Sequence, residues 1–109
     1  KKIISSIQEM KGKNIISLNF KNIEAAITKY FVICTATSNT HSNALETYIR
    51  KNTLKDINEK PFSSEGTNAN EWVLMDYSDV VVHIFQEKFR KYYNIEDLWG
   101  DAKITNYDI

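Results

Sequence analysis

Val80-Val-Val-His-Ile-Phe85 is the segment that most limits what this chain can become. Three β-branched residues in succession, then Ile84 and Phe85, suit a strand better than a helix, because branching at Cβ stiffens χ1 and crowds the helical turn. A run this continuously apolar belongs in a strand covered on both sheet faces. Just before it lies a second apolar run, Trp72-Val-Leu-Met75, and the two are separated by the short polar turn Asp76-Tyr-Ser-Asp79. The stretch 71–85 is therefore predicted as a β-hairpin. A helix rich in Lys, Arg and Tyr is predicted after it, over Glu87 to Tyr93.

Working back from the hairpin, Lys29-Tyr-Phe-Val-Ile-Cys-Thr35 is a further strand of β-branched and aromatic residues, and Ile15, Ile16, Leu18 and Phe20 mark another. Apolar positions 3, 4, 7 and 10 have helical spacing, with Gly12 as the predicted C-terminal cap. Ile23 to Ile27 is read as one helical turn. Asn43 and Glu46 form a capping arrangement for a helix striped by Ala44, Leu45, Tyr48, Ile49 and Leu54 and ending near Asp56. Pro61 to Glu65 is a short extended piece, and Ile95, Leu98 and Trp99 add a last apolar turn. The order α-β-(α)-β-α-β-β-β-α implies one α/β domain over residues 1–99, with a mixed sheet of about five strands flanked by helices. Its first half is predicted to be mainly parallel, and the polar end, 100–109, to fray. With 109 residues, 42% of them hydrophobic, the chain can bury one core without help.

Fourteen basic and fourteen acidic residues give zero formal charge. A protein that grips phosphate mainly through cations carries a clear positive excess, so protein or small-molecule partners are expected. No apolar run approaches the ~20 residues of a spanning helix, and no secretory signal is visible. Cys34, the single cysteine, has no internal partner, which suits a reducing cytoplasm.

Several residues carry chemistry in principle. With Tyr77 and Ser78 as a two-residue loop, Asp76 faces Asp79, Leu74 faces Val81 and Trp72 faces His83 on one side of the hairpin. Val73, Met75, Val80, Val82 and Ile84 then form the core side. Opposed carboxylates cost stability, and they read either as a metal or acid–base pair or, more plainly, as acceptors for backbone N–H groups at the turn. Tyr-Ser is a poor pair where positive φ is required. His83 is the obvious acid–base candidate. Asp79, however, lies roughly 13 Å along the strand, and the plainer reading is a packed ring. Cys34 is read as a small buried hydrophobe and not a nucleophile, and His41 as a loop residue before an anion site at the helix entrance. The three glycines stand apart, so there is no phosphate loop, and no zinc or hydrolase motif is present. What remains is aromatic surface: Trp72, Tyr77, Phe89, Tyr92, Tyr93 and Trp99, with Arg90 and Lys91. These residue types dominate interface hot spots. Tyr77 at a hairpin tip, with Trp72 opening the same hairpin, is expected to form an exposed apolar patch.

These residues also carry a family resemblance. Asn14-Ile-Ile-Ser-Leu18, Tyr30-Phe-Val-Ile-Cys-Thr35, Glu65-Gly66 and Trp72-Val-Leu-Met-Asp76 are four parts of it; Asp79-Val-Val-Val-His-Ile-Phe85 and Arg90-Lys-Tyr-Tyr-Asn-Ile-Glu-Asp-Leu-Trp99 are the strongest. Together they resemble the ribosomal silencing factor, or Iojap-like, family over nearly the whole chain. The resemblance implies a nucleotidyltransferase-like α/β fold without enzymatic activity or cofactor. It also implies docking on the fourteenth protein of the large ribosomal subunit, where the bound protein blocks small-subunit joining when nutrients are scarce. Position 72 and the apolar residue at 77 belong to the contacting surface in that pattern. The expected contact set is Trp72, Asp76, Tyr77, Ser78, Asp79, His83 and Arg90, with little direct nucleic-acid contact, no metal, no membrane, and a monomer or weak homodimer. Two positions depart from the pattern: Ser78 stands where Gly is usual, and Thr28-Lys29 where an acidic residue is frequent. Two other readings stand beside it. One is a degenerate nucleotidyltransferase using Asp76 and Asp79 with a divalent metal, although no Gly-Ser phosphate element is present. The other is direct RNA binding through Arg90, Lys91 and the tyrosines.

Overall fold

The computed structural model describes residues 2–21, 23, 28–99 and 102–107. Among them the elements run α1 (Lys2–Glu9), β1 (Lys13–Asn19), β2 (Tyr30–Ala36), α2 (Asn39–Ile57), β3 (Ser63–Glu65), β4 (Trp72–Asp76), β5 (Val80–Gln86), α3 (Glu87–Tyr93), α4 (Ile95–Leu98) and β6 (Lys103–Asn106). The strands form one mixed sheet in the order β3-β4-β5-β2-β1-β6, an α/β domain as expected, with one strand more than the five foreseen. The helical turn predicted at 23–27 lies outside the described residues, apart from Ile23.

Only β2 and β5 pair in parallel; β1 runs antiparallel to β2. The mainly parallel first half is thus not found. Residues 20–29, between β1 and β2, are fewer than the dozen or so that a parallel crossover needs. The long connection from β2 to β5 has room for α2 and a detour through β3 and β4. The sixth strand comes from the polar end that was expected to fray. β6 pairs with β1 from Ile16↔Asn106 to Asn19↔Lys103, and beyond it Tyr107 Oη lies 2.9 Å from Ser17 Oγ.

Two helix ends differ from expectation for local reasons. Helix α1 closes on Lys11 (φ 60°), whose N–H bonds Gln8 O, while Gly12 N–H reaches back to Ile7 O. Gly12 therefore stands one place after the left-handed residue. It is small because a Cβ there would overlap Ile7 Cγ2. Helix α2 starts earlier than Asn43: Ser38, in extended backbone, accepts the His41 N–H at 3.1 Å.

Strand alternation builds two apolar layers. Helices α1 and α2 cover one sheet face, where Ile7, Leu45 and Ile49 meet Val32, Cys34, Val73, Met75, Val82 and Ile84. The other face carries Ile16, Leu18, Ile33 and Phe85, packed with Phe20, Ile95, Ala102, Phe89 and Trp99.

A candidate docking face on the second side of the sheet

The β4–β5 hairpin closes through Tyr77 N–H to Val80 O at 2.8 Å, so its loop is Ser78-Asp79, with Ser78 at φ 75°. Positive φ at the first loop position matches the strand twist in a hairpin of this length. The register is Trp72↔Phe85, Leu74↔His83 and Asp76↔Val81, two residues away from the predicted pairing. A two-residue slip keeps every side chain on its face, so the predicted sidedness holds. Trp72, Leu74, Asp76, Val81, His83 and Phe85 share the face away from α1 and α2.

The short helices and the last turn cover only part of that face. Phe31, Leu74 and Val81 remain half-buried. Trp72, also half-buried, lies on Phe85 (centroids 4.9 Å, planes 25° apart) and against Tyr93 (4.8 Å). Tyr93 is 45% exposed and leads to Tyr92, 79% exposed, at 5.1 Å. The result is an aromatic shelf with an aliphatic floor. The expected contact set omitted Leu74 and Val81, although strand alternation had placed both on this side and was the signal that could have found them.

Tyr77 is the main correction. It was expected to face solvent at the hairpin tip; it is 8% exposed and packs in the helix-covered core. Its hydroxyl lies 2.9 Å from Thr53 Oγ1 on α2. Tyr77 continues the alternation of Val73 and Met75 through the closing pair of the hairpin, and α2 supplies the cover that the hairpin lacks. No local signal in the sequence pairs Thr53 with it.

Asp76 Oδ1 accepts the Ser78 N–H at 2.8 Å, the plain turn role. Asp79 does not oppose it. Its carboxylate is 3.9 Å from Lys29 Nζ, and its carbonyl accepts the Lys29 and Tyr30 N–H groups, tying the turn to β2. Among the described residues, no three His, Cys, Asp or Glu side chains stand together as metal ligands. Ser78 and Asp79 are exposed at the rim of the face.

His83, 3% exposed, accepts the Trp72 Nε1–H on Nδ1 at 3.0 Å, and its Nε2 is buried without a partner. Burial lowers its pKa from 6.5 to about 4. Arg90 points inward. It donates to Glu96 Oε2, to Asn14 O at 2.6 Å and to Thr35 Oγ1 at 2.8 Å, joining α3, α4, β1 and β2. With 11% of its side chain exposed, Arg90 is a strut and offers little to a partner. Arg90→Ala is expected to lower stability by about 3 kcal/mol, because it strands a partly buried carboxylate. Urea midpoints of the two proteins measure this; equal midpoints would show the strut to be idle. Cys34 is fully buried, and desolvation pushes its thiol up to about 12, as suits a core residue. His41 accepts the Thr37 N–H on Nδ1 at 2.9 Å and bonds Met10 O through Nε2 at 2.8 Å. It stands in the first turn of α2 and not in a loop, because the helix starts at Asn39, and it links the end of α1 to that turn with neither ring nitrogen left for an anion.

The model of the family described as "Ribosomal silencing factor during starvation" matches residues 1–109. The chain belongs to the ribosomal silencing factor family. It is 34% identical to the ribosomal silencing factor of Halalkalibacterium halodurans over 99 residues, covering 91% of this chain and 83% of that protein. It is also 33% identical over 78 residues, 70% of this chain, to the mouse protein named mitochondrial assembly of ribosomal large subunit protein 1, of which it covers 34%. A Chromobacterium violaceum crystal structure superposes with a TM-score of 0.84 at 33% identity, covering 99% of this chain and 88% of that one. Ribosomal silencing factors are not a known enzyme class. No helix among the described residues is long and apolar enough to cross a membrane.

Proposed function

We propose that this ribosomal silencing factor docks on the large ribosomal subunit, through its fourteenth protein, using the uncovered part of the second sheet face. Bound there, in the cytoplasm, it obstructs small-subunit joining and lowers translation when nutrients are scarce. Trp72, Leu74 and Val81 supply the apolar centre, and Asp76, Ser78 and Asp79 the polar rim. Tyr77, His83 and Arg90 act from inside by holding that surface in shape. The mechanism is steric and requires no bond to be made or broken.

The observation that carries this reading is a half-buried tryptophan beside aliphatic residues on a sheet face that the chain's own helices leave partly open. Large aromatic anchors next to desolvatable aliphatics are the usual composition of interface centres. The domain measures 34 × 33 × 29 Å, so one side can offer the roughly 800 Å² that each partner gives to a standard interface. The family match and the mouse relative's name support the ribosome, and its large subunit, as the partner.

Co-sedimentation with purified large subunits tests the proposal. Trp72→Ala and Leu74→Ser are expected to weaken association roughly thirtyfold or more while thermal melting still shows a cooperative fold. If both variants sedimented with large subunits as the parent does, the face assigned here would be wrong.

A further inference from the structure

His83 sits in the middle of an apolar sheet face, ringed by Phe31 (centroids 4.5 Å), Phe85 (6.2 Å) and Trp72 (6.0 Å). An indole nitrogen only donates, so the 3.0 Å contact from Trp72 Nε1 fixes His83 Nδ1 as the acceptor. The ring proton must then be on Nε2, the buried atom that has no partner. A buried N–H left unmade is costly, and an aliphatic residue at position 83 would avoid the cost. The polar atom that the imidazole serves in exchange is the nitrogen of Trp72.

Stacking on Phe85 and a tilted contact with Tyr93 set the plane of the indole, but they are indifferent to which edge points inward. A flip about χ2 would keep much of the stacking and turn the N–H toward the partner. We infer that His83 is a positioning residue for docking: by accepting the Trp72 Nε1–H it selects the orientation in which the indole presents only hydrocarbon outward. The inference rests on the docking role of this face. Opposite Trp72 the partner offers an apolar recess, with no hydrogen-bond acceptor required.

Three variants, His83→Leu, His83→Asn and Trp72→Ala, are compared by co-sedimentation with large subunits and by NMR of the indole N–H groups, with Trp99 as the internal reference. Asparagine places Oδ1 near the position of Nδ1 and keeps the acceptor; leucine removes it. His83→Leu is expected to bind roughly five- to tenfold more weakly and to move the Trp72 indole resonance while that of Trp99 stays. His83→Asn is expected to restore most of both. If Trp72→Ala loses binding but His83→Leu binds as the parent does, the positioning role is wrong and the docking face stands. Trp72→Ala binding like the parent would remove both. Should His83→Leu fail to fold, the unaltered protein decides: long-range ¹H–¹⁵N spectra must show the Nε2–H form of His83 and a hydrogen-bonded Trp72 N–H. The Nδ1–H form would overturn the inference.

Discussion

Replacing Tyr77 by alanine is expected to cost the fold about 3–5 kcal/mol, the penalty for emptying a large aromatic site in a packed core. The ring is 8% exposed and belongs to the cluster that includes Met75, Val82 and Ile49, so its removal leaves a void beneath α2. Tyr77→Phe is expected to cost only about 1 kcal/mol. Thr53 Oγ1, the hydroxyl's partner, keeps its bond to Ile49 O at 3.0 Å, so no polar group is orphaned. Thermal melting and urea titration distinguish the two variants, and a shift of upwards of about 10 °C is expected for the alanine protein. Its folded fraction should still associate with large subunits. An alanine variant that melted like the parent but failed to bind would return Tyr77 to the surface, where its family pattern first placed it.

Acid is expected to weaken this protein through His83 before the carboxylates contribute. The groups facing the imidazole are Phe31 and Ile33 on β2, Trp72 and Leu74 on β4, and Phe85 on its own strand. None of them carries charge, and Asp76, farther along the same face of β4, is engaged with the turn. Burial alone therefore sets the shift, from 6.5 to about 4. Above pH 6.5 the ring is neutral in both folded and unfolded chains. As pH falls below 6.5 the unfolded chain takes up a proton that the folded ring refuses until about pH 4. Stability from this site is thus complete above 6.5 and is lost on acidification, at about 1.4 kcal/mol per pH unit and about 3 kcal/mol in all. In the parent, the unfolding free energy from urea titration should be level above pH 6.5 and fall toward this slope between pH 6.5 and pH 5. The His83→Leu protein should show a flatter profile over the same interval. Parallel profiles would mean that the imidazole is not the titrating group. Protonation of Nδ1 also removes the acceptor for Trp72, so the indole resonance should move over the acid limb.

The hairpin shows how far residue order alone reaches. Which side of β4 and β5 each residue takes follows from a period of two, and that much was legible because an error of two positions in register leaves the faces unchanged. The register itself was not legible, because it depended on Ser78 accepting positive φ where Tyr77 had been placed in the loop. The aspartates follow the same logic. The plain turn role was readable from residue type and holds for Asp76; the Asp79 carboxylate faces Lys29 instead, and the supposed opposition of the two depended on the pairing and vanished with it. Trp72 was recognised as an anchor from its chemistry and was expected directly opposite His83; in the observed register Phe85 takes that place, and the Trp72–His83 bond is made diagonally across the two strands.

From residue order came the identity of five of the strands, the two-sidedness of the sheet, the three longer helices and the family, all of which rest on patterns spanning a few neighbours. Tertiary structure decided the remainder: that Tyr77 is sealed by Thr53, that Arg90 turns inward to Asn14, and that Tyr107 returns to Ser17. Those partners lie 24, 76 and 90 positions apart. Contacts at such separations leave no local period, and exist only because the sheet sets its strands side by side and packs the helices onto them.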